Sequence, residues 1–591
     1  MKRTPTSQIL LIAGLAVLMI TPGSVVGQSR PIERAAEQIR LALGIGNDPT
    51  EGSGEIEDRR EESAETEGDT TPLGVNVGAI HLISHQDKAT MDAGVGTDSL
   101  VIDEDLPAPE ELEEILSAYI DQPMSMALLS QIGKDIVLVW RESDYPLVDV
   151  YYPEQNITEG KLQIVVREAV LGEKTVEGAA VTREDYLLSN LRVDPGDRIN
   201  KRVVGADIDW MNENPIRQVN LIYERGDDDG TSDIVLDVIE EDSVSAYVSF
   251  ANTGVNFTGE EEWSFGFTLS NPGRREHTLG YNLTTDLESD NLHAHSVFYQ
   301  AFLPWRHILQ VSAAYVTSEA LDKSFTDTNG LSRQLSTVYR IPLTRPDFNP
   351  AWKHYVSFAF DYKSTNTDLL FGGVNIFDSD VAVGQFRAFY EFSVPDKHGL
   401  TKASIGFVGA PGDMFEDNDD DSFDVARLGS ESSYFYAYGD IERLQRLPAE
   451  YTLRLNIRGQ ATENRLGSTE QILAGGYNTV RGFDESIIRG DSGLISNLEL
   501  ISPAFSLLSV INEGFNDNWN ALVFYDAAVM GISESFPAEG AQSLQSAGLG
   551  LNCRFGEHGF ARAAYGWEVA SHGLQDREEA GKFHFGLTLL Y

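Results

Sequence analysis

The chain closes on KFHFGLTLLY, Lys582–Tyr591. Phe583, Phe585, Leu587, Leu589 and Tyr591 take every second position, with His584, Gly586 and Thr588 between them. A period of two is that of an extended strand, whose side chains point alternately to opposite faces. One face of this strand seeks an apolar medium and the other tolerates a polar one. The pattern recurs upstream in EWSFGFTLSN (262–271), RHILQVSAAYV (306–316), HYVSFAFDYKS (354–364), QFRAFYEFSV (385–394), SYFYAYGDIE (433–442) and YTLRLNIRG (451–459). Polar, Gly-rich or Asn/Asp-rich loops separate these runs. Strands of about 9–11 residues cross a bilayer, and about sixteen such runs between 243 and 591 fit a closed transmembrane β-barrel of even strand number. A soluble β-sandwich would alternate as well. The strand count, the aromatic last residue and the N-terminus favour the barrel.

The N-terminus has the form of an export signal. Lys2 and Arg3 precede an apolar run from Ile9 to Ile20, and Val25 and Gly27 are small residues spaced for cleavage, so residues 1–27 are assigned to a signal peptide. The run is short for a spanning helix, and no later segment offers about 18 uninterrupted apolar residues. A barrel is then the remaining way to cross a membrane, because lipid leaves no backbone group unpaired.

Composition narrows the partners. Ninety-two acidic residues against 44 basic ones give a net charge of −48, a poor surface for nucleic acid. A single cysteine, Cys553, excludes a disulfide framework and a cysteine-built zinc site. There is no GxxxxGK[ST] phosphate loop and no GxSxG elbow in strand–turn–helix context. His293, His295 and His584 lie on or beside strand-like runs and read as lumenal or rim residues. No catalytic residue, cofactor or metal ligand is assigned, and the chain is not read as an enzyme. The acidic loop GDMFEDNDDDS (412–422) has carboxylates enough for calcium but lacks the spacing of an EF-hand, so it reads as a solvated external loop.

Ahead of the barrel, residues 28–46 contain PIERAAEQIRLAL (31–43), an amphipathic helix with Pro31 at its start and Gly44 at its stop. Residues 47–74 are acidic and glycine-dotted, a flexible linker that buries too little surface to fold. A short helix on such a tether could serve as a mobile plug. From 75 to 242 the periodicity turns to small α/β units, each ordered β-α-α-β-β, at 75–167 and 168–242. Three-stranded sheets of this kind have open edges that can add a peptide strand.

Within the barrel region, GGYNTVRGF (475–483) places Arg481 in a glycine-flanked loop. In NALVFYDAAVM, Asp526 shares a face with Leu522, Phe524 and Ala528. A carboxylate facing lipid is costly, so Asp526 belongs in the lumen, where it needs a partner. Arginine offers a permanently charged, two-pronged one. The spacing alone also admits an exposed loop arginine and an unrelated lumenal aspartate.

These residues carry a family likeness. VRGF (Val480, Arg481, Gly482, Phe483), followed by GDSG at 490–493, resembles the signature loop of the BamA-like outer-membrane superfamily. Phe524-x-Asp526-x-Ala528 resembles its F-x-D-x-G strand motif, with alanine at the last position. YYPEQNITEGKLQIVVREA (151–169) and WMNENPIRQVNLIYERGDDDGTSDIVLDV (210–238) are similar to the two POTRA domains of two-partner secretion transporters. The first POTRA unit departs in a long polar stretch, HQDKATMDAGVGTDSLVIDEDL (85–106). The resemblance implies a barrel in the outer membrane of a Gram-negative-type bacterium with both POTRA domains in the periplasm. It implies a loop held inside by an Arg481–Asp526 pair and a helix that plugs the pore. It implies an unfolded exoprotein of haemolysin or adhesin type as cargo and outer-membrane lipid as surroundings. Periplasmic chaperones and the barrel-assembly machinery would serve biogenesis. The alternatives are an outer-membrane assembly factor, whose relatives typically carry more POTRA units, and a passive porin.

Overall fold

The computed structural model describes residues 56–58, 69–90, 99–104, 106, 111–142, 144–321, 327–346, 348–371, 374–507, 517–537, 539–556, 558–574 and 580–591. The expected signal peptide (1–27) and plug helix (28–46) lie outside them, as does most of the linker. Two units follow in the described chain, Gly52–Glu241 and Asp242–Tyr591.

The first unit begins with β1 (Ile56–Asp58) and holds two α/β modules. One contains β2 (Ala79–Ile83), β3 (Leu100–Ile102), α1 (Glu111–Ser117), α2 (Met126–Glu142), β4 (Val148–Tyr151) and β5 (Lys161–Glu168). The other contains β6 (Val170–Glu177), α3 (Glu184–Asn190), α4 (Lys201–Met211), β7 (Arg217–Arg225) and β8 (Thr231–Glu240). Each packs its helices on one face of its sheet. Ile132, Ile136 and Trp140 of α2 meet Ile80, Leu162 and Ile164, while Val204, Ile208 and Met211 of α4 meet Leu221, Ile234 and Leu236. The i, i+4 spacing in each helix and the i, i+2 spacing in each strand produce these faces. The side chain of Asn200 accepts from the amides of Arg202 and Val203, capping α4, a contact worth about 1 kcal/mol. The modules share a joint. Leu147 belongs to the second core, and Arg167 pairs with Asp149 at 3.2 Å and Asp229 at 2.9 Å.

Two expectations are corrected here. Both sheets have four strands, ordered β3-β2-β5-β4 and β1-β7-β8-β6. The polar stretch 85–106 supplies β3, parallel to β2, and the linker read as flexible supplies β1, parallel to β7. An unpaired sheet edge presents a row of amides and carbonyls. Backbone pairing satisfies them whatever the side chains, so a polar segment without periodicity can do it.

In the second unit, sixteen strands close an antiparallel barrel among the described residues. They are β9 (Val244–Ala251), β10 (Glu262–Ser270), β11 (His277–Asp286), β12 (Leu292–Phe302), β13 (Ile308–Glu319), β14 (Asp327–Pro342), β15 (Lys353–Phe371), β16 (Val374–Asp396), β17 (Gly399–Pro411), β18 (Ser433–Arg446), β19 (Thr452–Ala461), β22 (Ser492–Ile501), β23 (Asp517–Gly531), β24 (Gln542–Phe555), β25 (Gly559–His572) and β26 (Gly581–Leu590). The hairpin β20 (Ile472–Ala474) and β21 (Ile488–Gly490) forms a separate two-stranded sheet that is not part of the ring. β26 closes the barrel on β9, with Gly586 opposite Ala251 and Leu590 opposite Tyr247. In β26, Phe583, Leu587 and Leu589 are exposed while Lys582, His584 and Thr588 are buried. β23 likewise exposes Val523, Tyr525 and Val529 and buries Leu522, Phe524, Asp526 and Ala528. The exposed apolar face is the one lipid requires, and the buried polar face lines the lumen.

The acidic loop is solvated along its carboxylates as expected, but its end runs into an unexpected helix. Its carboxylates at Asp419, Asp420 and Asp421 are exposed, yet the loop forms α5 (Asp420–Ala426) and sinks Phe423 into the barrel core. Asp419 caps the helix by accepting from the Ser422 amide at 2.8 Å. Asn418, fully buried, donates to the Ala382 carbonyl at 2.9 Å. One large aromatic ring outweighs the solvation pull of neighbouring carboxylates that can still reach water.

Candidate functional site

Between β19 and β22 the chain folds back into the barrel. A 3₁₀ turn at Ser468–Glu470 leads into β20, and the β20–β21 hairpin holds the stretch 475–487 at its tip. Val480 and Phe483 are fully buried with Ile472, Ile488, Met530 and Leu544. That apolar packing carries the loop inward and sets Arg481 against the wall.

Arg481 and Asp526, 45 positions apart, meet there. Arg481 is 3 % exposed and Asp526 0 %. The guanidinium donates from Nε to Asp526 Oδ2 at 2.7 Å and from Nη2 to Oδ1 at 2.8 Å, and the Arg481 amide adds a third bond at 3.1 Å. Its Nη1 lies 2.6 Å from Glu499 Oε1. Its Cζ sits 3.5 Å from the centre of the Phe524 ring, a cation–π contact. Asn497 donates to Asp526 Oδ1 at 2.8 Å. One arginine thus joins two neighbouring strands, β22 and β23, whose register sets Asn497 opposite Asp526 and Glu499 opposite Phe524.

The next residue binds the wall a few strands further round, at β25 and β26. Gly482 has φ +87°, and a Cβ there would lie 2.7 Å from the Gly566 carbonyl oxygen of β25. Its amide donates to His584 Nε2 at 3.1 Å. Asp484 then meets Lys582 Nζ at 2.8 Å. Close backbone approach happens at Gly566, and Ala528, which replaces the glycine of the strand motif, is simply buried among apolar neighbours.

The sequence reading did not identify Asn497, Glu499, Gly566 or Lys582, and it left His584 without a role. These residues come from three strands, β22, β25 and β26. Only the register brings them to one depth, and register is not a local property of sequence. A second polar cluster holds the base of the loop. Glu470, fully buried, takes Lys363 Nζ at 2.6 Å and the Tyr436 hydroxyl at 3.0 Å. Asp491 takes both prongs of Arg427, from the end of α5, at 2.6 and 3.1 Å.

A closed sixteen-stranded barrel with an apolar outer face, two α/β modules ahead of it and an arginine loop bound to its inner wall defines an outer-membrane transporter of the POTRA–barrel class. Comparison with known proteins is more specific. The model of the family described as "Haemolysin secretion/activation protein ShlB/FhaC/HecB" matches residues 230–551, more than half of the chain, and this protein belongs to that family. The model of the ShlB-type POTRA domain matches residues 103–169. Among relatives, the heme/hemopexin transporter protein HuxB of Haemophilus influenzae (strain 86-028NP) is 22 % identical over 460 residues, covering 75 % of this chain and 78 % of that protein. The outer membrane transporter CdiB-2 of Burkholderia pseudomallei (strain 1026b) is 23 % identical over 412 residues, 66 % of each. The structure of CdiB from Escherichia coli aligns over the whole of both chains with a TM-score of 0.68 at 16 % identity. BamA from Haemophilus ducreyi lacking POTRA domains 1–3 aligns over 82 % of this chain and 97 % of its own, with a TM-score of 0.50 at 15 % identity. The protein is a two-partner secretion transporter of the outer membrane, with its POTRA domains in the periplasm and a secreted exoprotein as its partner.

Proposed function

We infer that the loop carrying Val480, Arg481, Gly482 and Phe483 organises the conduit through which the exoprotein leaves the cell. The observation that supports this most strongly is the sharing of Arg481 between Asp526 and Glu499, with no exposed carboxylate in the set. A buried ion pair seldom adds stability over an apolar pair of equal size, but it fixes geometry. With the contacts of Gly482 and Asp484 to β25 and β26, four strands are tied to one loop, and the space inside the barrel takes its form from that loop. An unfolded cargo chain enters from the periplasm, bound first by the POTRA modules, and passes the loop as the loop shifts or the wall yields. The helix expected at 28–46 closes the same path at rest. Folding of the cargo outside makes passage one-way without a nucleotide. Outer-membrane lipid surrounds the barrel, and periplasmic chaperones and the barrel-assembly machinery deliver and insert it.

Deleting the gene and comparing the medium, while following the other outer-membrane barrels, tests this function. Loss of one large exoprotein with the other barrels intact is the expected result. A parallel decline of all barrels would instead make the chain an assembly factor.

A further inference from the structure

The outward face of three successive hairpins repeats one arrangement. In β11–β12, Tyr299 stands opposite Leu279, and its hydroxyl meets His277 Nδ1 at 2.9 Å. In β13–β14, Tyr339 stands opposite Leu309 and meets His307 Nδ1 at 2.6 Å. In β15–β16, Tyr390 stands opposite Val356 and meets His354 Nδ1 at 3.0 Å. Each histidine sits two residues before the residue that faces the tyrosine. Tyr299, His307, Tyr339, His354 and Tyr390 share their strand faces with exposed Val297, Tyr315, Leu335, Phe358 and Phe386, and so point away from the lumen. The pairs lie at the end of the barrel where β9 starts, directly after the second POTRA domain, which is the periplasmic end.

Charge gathers at the same end. The turns 271–276, 303–307 and 343–353 carry Arg274, Arg275, Arg306, Arg345 and Lys353 against Glu276 and Asp347, in a chain of net charge −48. At the other end, 412–424 has no basic residue. Trp305 is 60 % exposed, and a tryptophan at a barrel rim belongs at the boundary of headgroups and acyl chains. The hydrogen bonds also fix a proton. Tyr339 accepts from Trp305 Nε1 at 2.8 Å, so its own proton goes to His307 Nδ1, and the neutral ring carries its proton on Nε2. Nε2 of His307 has no partner among the described residues, and neither has Nε2 of His277. At His354 the equivalent atom meets the Thr344 carbonyl at 2.8 Å and is occupied. Two histidines thus face the lipid with an open nitrogen, each beside an arginine.

An N–H donor with a guanidinium at headgroup depth fits a phosphodiester. We propose that His277 with Arg275, and His307 with Arg306 and Trp305, seat the phosphate of an anionic glycerophospholipid of the inner leaflet, with Tyr299 and Tyr339 orienting the rings. A choline headgroup brings its own cation to the phosphate and is held less well. The two seats fix the β11–β14 arc at one depth in the membrane. This rests on the barrel's place in outer-membrane lipid. Lys397–His398 supplies an internal control: it repeats the basic–histidine pair at the start of β17, but Leu444 stands opposite Leu400 where the other hairpins have tyrosine.

The test uses the full chain in nanodiscs of phosphatidylcholine with a minor share of phosphatidylglycerol. Native mass spectrometry reads the lipids retained on release into detergent. A basic residue near a membrane surface favours anionic lipid by about 1 kcal/mol, so phosphatidylglycerol should be enriched roughly fivefold or more over its share. Arg306→Gln with His307→Gln should lose about half of the retained phosphatidylglycerol. Arg275→Gln, in an exposed turn, should weaken the other seat alone. Lys397→Gln with His398→Gln should lose none. No enrichment in the parent protein overturns the proposal, as does an equal loss in the 306/307 and 397/398 variants, which would mean diffuse charge without seats. Insertion into phosphatidylcholine alone, read by heat-modifiable mobility on gels, tests the membrane reading separately. Failure to insert strikes that reading, whereas insertion without lipid preference strikes only the seats.

Discussion

Replacing Arg481 by alanine takes the guanidinium from two buried carboxylates at once, leaving Glu499 only Arg454 at 3.6 Å. Asp526 loses the bonds from Nε and Nη2, keeping those from the Arg481 amide and Asn497, and Glu499 loses its 2.6 Å partner. Removing one member of a buried pair costs about 3–5 kcal/mol, chiefly through the charge left behind. At about 1.4 kcal/mol per tenfold, the ratio of docked to undocked loop falls by about two to three and a half powers of ten. The barrel's strand pairing is untouched, so heat-modifiable mobility on gels should be retained. Residues 475–487 should gain amide exchange and protease cleavage in isolated outer membranes, and exoprotein secretion should fall. Arg481→Lys keeps the charge and loses the fork, so it should lie between the two. Adding Asp526→Leu to Arg481→Ala should recover part of the loop's protection, since one stranded charge is gone. A loop that stays protected in Arg481→Ala, with normal secretion, would refute the tie. So would a double variant that is worse by the full cost of two independent substitutions.

Three further tests address separate contacts. Gly482→Ala combines a left-handed φ with a Cβ 2.7 Å from the Gly566 oxygen, and should loosen the loop by about 2 kcal/mol or more, seen as faster exchange at 475–487. Phe423→Ala empties the site that holds α5 and should cost that segment about 3–5 kcal/mol, read as cleavage of 412–432 by protease added to intact cells, with the barrel still folded. In the second POTRA domain, burial raises the pKa of Glu240, but the Thr182 side chain and the amides of Ala180, Val181 and Thr182 outweigh it and hold the carboxyl below its ordinary value. Its contribution is therefore complete above the unfolded pKa of about 4.3 and lost as pH falls through the lower folded value. Exchange in 178–184 should rise in that acid window for the parent protein, while Glu240→Gln should already be fast at neutral pH and show little further change.

The sequence by itself determined the barrel. Alternation in runs such as 583–591 and 522–530 is a property of each strand alone, because a pleated chain must send neighbouring side chains to opposite media. It also placed Asp526 in the lumen and Arg481 in a loop, since the cost of a charge in lipid needs no knowledge of neighbours. Only the tertiary structure decided what those two residues touch. Glu499, Asn497, Gly566, His584 and Lys582 reach the loop because the stagger of the strands sets them at one depth, and a shift of one residue would turn each to the other face. The same limit explains β1, β3 and Phe423. Three-residue strands have no period to read, and their reason for existing is an edge belonging to another part of the chain. Phe423 follows a run of aspartates and has no local period that marks it as buried, and the hollow that receives it is built by strands and a loop distant in sequence.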